Sequence, residues 1–361
     1  MAAIRIDPVT ETDPARLPAE LGFGKYFTDR MYSQRYSAQA GWHDASIGPY
    51  QPLVLDPAAQ VFHNGQMIFD GTKAYRRADG GINLFRVEQN AERFNRSAER
   101  MGMPTVPVAD HVAAIETLVG LEHRWVPHQP DAALYIRPVM IASEKALAIR
   151  APQECLHYII LSPVAPYFAG GFAPVAVYVS HEYVRAVRGG TGEAKTPGNY
   201  AGSIKATEIA IAKGYQQVLW LDAVERRYVD EVGAMNIAFV YQDGRLRTPA
   251  LSGAILHGVT RNSVLTLAQD LGIETSEERI DFLEVLADIA SGRITEMFGM
   301  GTGAVIAPVG RLCYQDRDIV LNGGEPGPVA RRLYDELTGI QFGRLPDRHG
   351  WTRQVRVGQG A

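Results

Sequence analysis

Two hydrophobic periodicities along the chain predict a mixture of short strands and amphipathic helices. Apolar runs rich in β-branched and aromatic residues predict strands over residues 82–87, 134–142, 155–163, 175–180, 218–223 and 236–241. Apolar residues at helical spacing predict helices over residues 90–101, 109–123, 201–215, 261–271, 280–290 and 327–338, with Asp110 as the N-cap of the second. Strands that alternate with helices are typical of an α/β fold.

The first 50 residues show neither periodicity, and we expect them to form an irregular arm. The segment is rich in proline, glycine and polar residues. Its aromatic residues favour packing of the arm against another surface, such as a second subunit. These aromatic residues are Phe23, Tyr26, Phe27, Tyr32, Tyr36 and Trp42.

A stretch dense in proline, glycine and alanine near the middle of the chain predicts a connection between two domains. A chain of 361 residues exceeds what one hydrophobic core usually supports, so two domains are expected. The stretch covers residues 163–174 and lies between two predicted strands. We therefore predict an N-terminal domain over 1–165, an interdomain loop over 166–174 and a C-terminal domain over 175–361.

Composition and charge exclude several classes of protein. The chain has 36 Lys and Arg against 40 Asp and Glu, a net charge of −4 without a basic block, which disfavours a nucleic-acid-binding protein. No apolar run is long enough to span a bilayer, and the first residues lack the pattern of a signal peptide. Two distant cysteines make neither a disulfide framework nor a metal site. We expect a cytoplasmic protein that binds neither membrane nor metal.

Three glycine-rich turns could bring backbone N–H groups close to an anion. They lie at residues 189–200, 257–261 and 299–303. The first is not a nucleotide-binding P-loop, because Ala194 occupies a position that needs glycine. The third is not a dinucleotide-binding turn, because it follows a predicted helix and Ala304 replaces the last glycine. Taken singly, each turn is more often a plain connection between sheet elements.

Lys195 lies in the first of these turns, surrounded by small residues. A lysine whose ammonium group is partly desolvated can lose its proton and form a Schiff base with a carbonyl compound, and pyridoxal phosphate is the commonest cofactor held in this way. Such a site also needs a phosphate cradle, a carboxylate for the pyridine nitrogen, a partner for the ring hydroxyl and a dock for the substrate carboxylate. Lys195 is a candidate for the Schiff-base lysine only if the chain supplies these other groups as well.

Several segments together resemble the fold-type-IV aminotransferases, and most closely the branched-chain amino-acid aminotransferase family. They are K-T-P-G-N-Y beginning at Lys195, D-E-V-G-A-M-N at 230–236 and F-G-M-G-T-G at 298–303. The resemblance runs from about residue 23 to about residue 343. It implies two α/β domains with pyridoxal 5′-phosphate in the cleft between them. It also implies a homodimer, because family members complete each pocket with residues of the partner.

The resemblance assigns roles around the cofactor ring. Lys195 would be the Schiff-base lysine and would carry the proton between the substrate and the cofactor. Glu231 would pair with the pyridine nitrogen and keep it protonated. Tyr200 would hydrogen-bond the ring hydroxyl.

It also assigns roles around the phosphate. The side chain of Arg93 would bind the phosphate group directly. The backbone N–H groups of Val259 and Thr260, together with the hydroxyl of Thr302, would complete the cradle.

On the substrate side, the resemblance implies that Arg137 and Tyr135 lie near the substrate carboxylate. Tyr167 matches a pocket tyrosine of the interdomain loop. The remaining family pocket positions are occupied here by Phe23, Asn64, Phe69 and Gly303.

The chain departs from the family within one short segment. Asn64 stands where the family has a tyrosine, Asp70 replaces the glutamate of F-E-G, and Thr72 replaces an aliphatic residue. We interpret the three as a more polar wall on the substrate side, one that would select a bulkier or more polar amino acid than leucine. The C-x-x-C pair of animal relatives is replaced by Ala304 and Ala307, so that redox pair is absent.

The predicted reaction is transamination of an L-amino acid, branched-chain or a related bulkier or more polar one, with 2-oxoglutarate in a ping-pong sequence. The alternatives are a specialised-metabolism or D-amino-acid aminotransferase, an aminodeoxychorismate-type lyase, a catalytically silent binding protein, and a nucleotide-dependent enzyme built on the first glycine turn. Arg137 within Y-I-R-P and the long N-terminal arm favour the branched-chain-like group.

Overall fold

The structure is a computed structural model that describes residues 3–14, 20–168 and 171–357. The chain divides into two compact units. Unit 1 comprises Met1–Tyr167, Ala194–Pro197 and Gly339–Ala361, and unit 2 comprises Phe168–Glu193 and Gly198–Thr338. Unit 1 therefore includes two segments of the predicted C-terminal domain. The predicted seam at 163–174 stays a prediction, and residues 169 and 170 of it lie outside the described residues.

The strands and helices are numbered in chain order. The strands are β1 (Arg5–Ile6), β2 (Arg30–Ser37), β3 (Gly41–Pro49), β4 (Met67–Phe69), β5 (Thr72–Arg76), β6 (Ile82–Phe85), β7 (Ala133–Ala142), β8 (Glu154–Val164), β9 (Val175–Val179), β10 (Gln217–Leu221), β11 (Val229–Val232), β12 (Asn236–Tyr241), β13 (Leu246–Pro249), β14 (Thr275–Glu278), β15 (Ile294–Gly301), β16 (Val305–Tyr314), β17 (Arg317–Val320) and β18 (Thr352–Gln354). The helices are α1 (Gln60–Asn64), α2 (Val87–Arg100), α3 (Val108–Leu121), α4 (Pro197–Ala201), α5 (Ile204–Ala212), α6 (Val259–Asp270), α7 (Phe282–Ala290) and α8 (Pro328–Gln341).

Unit 1 is built on a sheet of nine strands within its described residues. The strand order is β1-β3-β2-β8-β7-β5-β6-β18, with β4 paired to β7, and only the β1–β3 pairing is parallel in that part of the chain. Helices α2 and α3 pack against each other, and apolar side chains of both join the sheet in one core. That core includes Val87, Ala91, Ile115, Leu118 and Leu134, all at most 1% exposed.

Unit 2 carries a second nine-stranded sheet, again counted over the described residues. Its order is β11-β10-β9-β16-β15-β12-β13-β14, with β17 paired to β16. Parallel pairings join β9 to β10, β9 to β16 and β13 to β14. Buried side chains such as Val177, Leu219, Ile237, Phe239 and Leu312 form its core. The predicted mixture of sheets and helices, an α/β fold, is confirmed.

The expectation that residues 1–50 form an irregular arm is wrong for residues 30–49. Two long strands, β2 and β3, lie in this segment and pair with each other, and β2 also pairs with β8. Strand β2 reads R-M-Y-S-Q-R-Y-S, in which Met31, Tyr32 and Gln34 are buried. The polar residues between them mask the alternation that a strand prediction depends on.

Three other expectations need correction. Helix α3 begins at Val108 with Pro107 at its N-cap, so Asp110 lies in the first turn and is not the cap. The predicted helix 201–215 is shorter and is preceded by the separate helix α4. The glycine segment 299–303 comprises the end of strand β15 and the start of the turn after it, does not follow a helix, and leads into the antiparallel strand β16. Because no helix opens after it, the turn still lacks the geometry of a dinucleotide-binding loop.

Within the described ranges, no helix combines the length and apolar character needed to cross a membrane. Those same ranges contain no group of three or more His, Cys, Asp or Glu side chains that could hold a metal ion.

Two buried histidines stack inside unit 1 against the helix that carries Arg93. The ring centroids of His111 and His157 lie 5.1 Å apart, and Phe94 of α2 lies 4.9 Å and 5.4 Å from them. Both ring nitrogens of His157 and Nδ1 of His111 have no hydrogen-bond partner in the described part of the chain. Burial lowers the pKa of His111 to about 4. Burial, together with the neighbouring His111, lowers the pKa of His157 well below its ordinary value. The folded protein therefore holds both rings neutral.

We predict that this pair makes the protein sensitive to acid. Both folded-state pKa values lie below the ordinary value of 6.5, so their contribution to stability is present above pH 6.5 and is lost as the pH falls toward 4. Each histidine should lower the free energy of unfolding by about 2 kcal/mol between pH 7 and pH 5. Denaturant unfolding of the wild type and of His157→Phe at the two pH values measures this. A variant that loses as much stability as the wild type would contradict the prediction.

Candidate active site

The backbone of Lys195 is held on both sides by unit 1. Its N–H donates to Oγ of Ser97 on α2 (2.9 Å), and its carbonyl accepts from the N–H of Phe69 at the end of β4 (3.0 Å). The hydroxyl of the next residue, Thr196, donates to the carbonyl of Met67 (2.8 Å). The ammonium nitrogen lies 5.2 Å from the Phe69 ring centroid. The chain thus anchors the main chain of this lysine and leaves the long side chain to reach over an aromatic face.

Arg93 on α2 forms a buried bidentate ion pair with Asp70. Its Nε and Nη2 donate to the two carboxylate oxygens at 2.9 Å and 2.7 Å, and Nη2 also donates to Oδ1 of Asn90 (3.1 Å). The two charged side chains are only 5% and 2% exposed. Burial alone would raise the pKa of Asp70, but Arg93, with a smaller contribution from Lys195, holds that pKa below its usual range. Asp70 is therefore ionised and fixes the guanidinium.

The three departures from the family pattern do not form one polar wall. The amide of Asn64 donates to the carbonyl of Ala148 (3.2 Å), and the hydroxyl of Thr72 donates to the carbonyl of Phe85 (3.5 Å). Asp70 holds Arg93, the residue that the resemblance assigns to the phosphate. Each of the three polar groups thus contacts a different group of the same chain. The contacts do not support the interpretation that the three form a shared polar surface for the substrate.

The predicted substrate-side residues of unit 1 form a connected aromatic cluster around Arg137. The guanidinium of Arg137 lies 4.8 Å from the Phe69 ring centroid and 5.1 Å from that of Tyr135, and its Nη2 donates to the Tyr135 hydroxyl (3.0 Å). Phe23 contacts Tyr135 and Tyr167 edge to face, at 5.0 Å and 5.2 Å. These ring faces stabilise a guanidinium that lies in an otherwise apolar strand.

Gly71 is required where it lies beside this cluster. A Cβ atom at this position would lie 1.9 Å from the hydroxyl of Tyr135, so any side chain would displace it. The glycine of the F-D-G segment therefore sets the position of Tyr135 and, through the hydrogen bond, that of Arg137.

In unit 2, Glu231 on β11 is held by three groups. Nε of Arg185 lies 2.8 Å from one carboxylate oxygen, while the amide of Asn236 and the backbone N–H of Leu256 donate to the other at 3.0 Å each. The Glu231 and Arg185 side chains are 3% and 6% exposed. An isolated carboxylate buried to this extent would be costly, so these contacts keep Glu231 in one orientation.

Val259 and Thr260 are the first two residues of helix α6. Its N-cap is Gly258, and no side chain caps the helix end, so the first backbone N–H groups are offered to an external acceptor. Helix N-termini of this kind bind phosphate, because the N–H groups and the helix dipole both favour an anion. Thr302 and Gly303 lie in the turn at the end of β15, the strand on which α6 packs. Tyr200 lies on α4.

Sequence reasoning missed the residues that orient the candidate catalytic groups. Nothing in the sequence marks Arg185 or Ser97. The contact between Asn236 and Glu231 could have been inferred from a tight hairpin at residues 233 and 234. In the structure, Val232 and Met235 pair across this two-residue turn. Such a tight turn places residues 231 and 236 directly opposite each other.

Comparisons with known proteins identify the class of protein to which the chain belongs. The family model "Amino-transferase class IV" matches residues 67–312. The chain is 46% identical to "Branched-chain-amino-acid aminotransferase 2" of Bacillus subtilis (strain 168), covering 98% of this chain and 97% of that protein. It is 47% identical to a "Probable branched-chain-amino-acid aminotransferase" of Streptomyces coelicolor, covering 95% of both.

Solved structures show the same fold. The branched-chain amino acid aminotransferase of Escherichia coli is similar with a TM-score of 0.74 and 25% identity, over 86% of this chain and 96% of that one. A second solved branched-chain amino acid aminotransferase, complexed with N-(5′-phosphopyridoxyl)-L-glutamate, is similar with a TM-score of 0.72 and 26% identity, over 90% and 98%. The family model and the similar proteins define the chain as a pyridoxal-phosphate-dependent aminotransferase. The chain belongs to the amino-transferase class IV family.

We predict that Asp70 is a major determinant of stability. Asp70→Asn removes the charge that balances a buried guanidinium, so the free energy of unfolding should fall by about 3–5 kcal/mol. Asp70→Glu, which restores the family residue, keeps the carboxylate and should lose less. Asp79→Asn is a matched control, because Asp79 pairs with Arg77 while 58% exposed, and such surface pairs contribute at most about 1 kcal/mol. Denaturant unfolding at pH 7 that gives equal losses for Asp70→Asn and Asp79→Asn would contradict the prediction.

Proposed function

We propose that this aminotransferase acts on the branched-chain L-amino acids leucine, isoleucine and valine, with 2-oxoglutarate as the amino acceptor in a ping-pong sequence. The observation that carries the proposal is the cluster of unit 1, in which Lys195 and Arg137 lie on the ring of the same residue, Phe69. It combines a lysine amine, a guanidinium for a carboxylate and aromatic walls for an aliphatic side chain. The names of the similar bacterial proteins support the same substrate class.

The residues present fit pyridoxal phosphate. Unit 1 would contribute Lys195 and Arg93. Unit 2 would contribute Glu231 for the pyridine nitrogen, Tyr200 for the ring hydroxyl, and the phosphate-binding groups at Val259, Thr260 and Thr302. The cofactor, when bound, supplies the electron sink that makes the substrate α-carbon acidic.

The chain's own groups would then direct the reaction. Nζ of Lys195 would take the proton from the substrate α-carbon and deliver it to the cofactor, and it would move a proton in the opposite direction in the second half-reaction. Ser97 and Phe69 fix its backbone for this role. The guanidinium of Arg137 and the hydroxyl of Tyr135 would hold the substrate carboxylate and fix its orientation. Phe23 and Tyr167, which contact each other edge to face, would cover the pocket.

The three departures therefore do not support a shifted substrate. Asn64, Asp70 and Thr72 each direct a polar group to a protein partner. The remaining wall in unit 1 is aromatic, and a hydrophobic wall discriminates only weakly among aliphatic side chains. We therefore propose similar activity toward leucine, isoleucine and valine.

Visible absorbance and covalent trapping test the proposed chemistry. The wild type reconstituted with pyridoxal phosphate should transaminate the three branched-chain amino acids best in a panel of donors, and borohydride should attach the cofactor to Lys195, as peptide mass spectrometry would show. Lys195→Ala should lose at least about 10³-fold in rate, because both the covalent link and the proton carrier are removed. Lys205→Ala, on the exposed face of α5, should behave as the wild type.

Three outcomes would overturn parts of the proposal. Covalent attachment in Lys195→Ala would mean that Lys195 is misassigned. A polar or bulky donor that exceeds leucine would restore the shifted-substrate hypothesis. Pyruvate release without any acceptor would indicate the lyase alternative.

We further propose that the protein is a cytoplasmic homodimer. Two segments of unit 1 expose large apolar side chains, and side-chain hydrogen bonds to the Ala148 carbonyl from Gln60 (3.0 Å) and Asn64 (3.2 Å) hold these segments together. The exposed apolar residues are Val54, Phe62, Leu147 and Ile149, with exposures of 97%, 60%, 67% and 92%. Apolar side chains concentrated in this way mark interaction surfaces.

We predict that charges in this apolar patch separate the subunits. The double variant Val54→Asp/Ile149→Asp should be a folded monomer, whereas the wild type should show twice the chain mass in size-exclusion chromatography with light scattering. Val224→Asp, at a 78% exposed position of unit 2, should leave the dimer intact. A wild type that is monomeric at micromolar concentration, or a double variant that remains dimeric, would refute the assignment of this surface.

A further inference from the structure

Strand β11 carries a second acidic residue directly before Glu231. Asp230 is the extra residue of a β-bulge in the pairing of β11 with β10. It lines a cavity of about 450 Å³ within unit 2, to which Glu231, Arg185 and Asn236 do not contribute. Only 6% of Asp230 is exposed. The cavity is therefore distinct from the candidate active-site residues, and the proposed transamination makes no use of it.

Asp230 differs from the other acidic residues of this cavity. Asp222 accepts hydrogen bonds from the backbone of its own loop, Glu225 pairs with Arg279, and Glu278 pairs with Arg247. In the part of the chain that the structure describes, the Asp230 carboxylate has neither a hydrogen-bond partner nor an ion-pair partner. A buried carboxylate without a partner is costly, unless it is protonated or meets a cation from outside the chain.

The charges around Asp230 leave both its protonated and its ionised state accessible. Burial, followed by the neighbouring Glu231, raises the pKa of Asp230 to about 7. Asp222 adds to the rise, while Arg185 and Arg279 oppose it. Of the other charged groups that line the cavity, Glu225 and Glu278 are neutralised by arginines, and Arg188 lies at the exposed rim. At pH 8 and above, Asp230 is therefore ionised, and a cation of suitable size would stabilise it.

The rest of the wall indicates which cation fits. Apolar side chains face the same space, contributed by Val187, Val229, Pro249, Leu251 and Ile255. Among the described residues no cluster of side chains is suited to a metal ion. Asp230 is thus the unpaired carboxylate of a cavity whose wall is otherwise largely apolar or already paired. This arrangement matches an organic cation, which needs a single charge partner and buries alkyl groups.

We propose that this cavity binds a small alkylammonium ion, whose charge pairs with Asp230 and whose alkyl groups lie against the apolar wall. The competing occupant is a proton on Asp230 with water filling the cavity. A titration distinguishes these two occupants, because only a site for an alkylammonium ion gives saturable binding of a cation that weakens as the pH falls.

The test uses the holoenzyme and choline, a quaternary ammonium that cannot react with the carbonyl group of the cofactor. Isothermal titration calorimetry at pH 8.5 should show saturable binding of choline. The neutral isostere 3,3-dimethylbutan-1-ol, which has the same shape without the charge, should bind at least about tenfold more weakly. Lowering the pH to 6 should weaken choline binding about tenfold, since the proton then competes for Asp230.

Matched variants locate the site. Asp230→Asn keeps the shape but removes the charge, and it should weaken choline binding at least about tenfold. Asp243→Asn, at a carboxylate outside the cavity that is paired with Arg245, should bind choline as the wild type does. Leu251→Trp, at the 38% exposed rim, should narrow the cavity and weaken binding without touching Asp230. Unchanged thermal midpoints would show that the variants are folded.

Three results would overturn the proposal. They are the absence of saturable choline binding at pH 8.5, equal affinity for choline and the neutral isostere, and wild-type affinity in folded Asp230→Asn. The first would mean that a proton and water are the occupants. The other two would place any binding elsewhere on the protein.

Discussion

The buried ion pair between Asp70 and Arg93 is the constraint on which the arrangement of unit 1 depends. It joins helix α2 to the residue that follows strand β4. The same helix supplies Ser97 to the N–H of Lys195, and the same strand end supplies the Phe69 N–H to its carbonyl. Because a desolvated bidentate pair has a narrow range of favourable geometries, helix and strand cannot shift independently. The position of the Lys195 backbone therefore depends on the Asp70–Arg93 ion pair, although the Lys195 main chain does not contact either charged side chain.

Unit 2 applies the same principle to a different carboxylate. Glu231 is buried but not isolated, because Arg185, Asn236 and the Leu256 N–H surround it. Gly258 is part of this arrangement, since a Cβ atom there would lie 1.9 Å from the Asn236 side-chain oxygen. That glycine is also the N-cap of α6. One small residue thus permits both the packing that orients Glu231 and the uncapped helix end suited to a phosphate.

Much of the regular structure could be predicted from the sequence, and the reasons for the failures are physical. Apolar runs such as β7 and β12 are recognisable because both of their faces are largely buried. Strand β2 was not predicted, because Gln34 is a polar residue that is buried. Its side-chain oxygen accepts a hydrogen bond from the Tyr32 hydroxyl, a contact that composition does not reveal. The candidate site residues could be predicted only because several family segments occur together in the chain. Their supporting partners, Arg185 and Ser97, are distant in sequence and carry no local signal.

The aromatic cluster shows how one arginine can remain charged inside an apolar strand and still be available to a substrate. Arg137 meets ring faces of Phe69 and Tyr135 in place of a carboxylate. A carboxylate partner would neutralise the guanidinium and compete with a substrate acid, whereas a ring face stabilises the cation without occupying its N–H donors. Gly71 places the Tyr135 hydroxyl beside those donors. Selection of an α-carboxylate would then come from this fixed pair of donors, while the surrounding rings tolerate several aliphatic side chains.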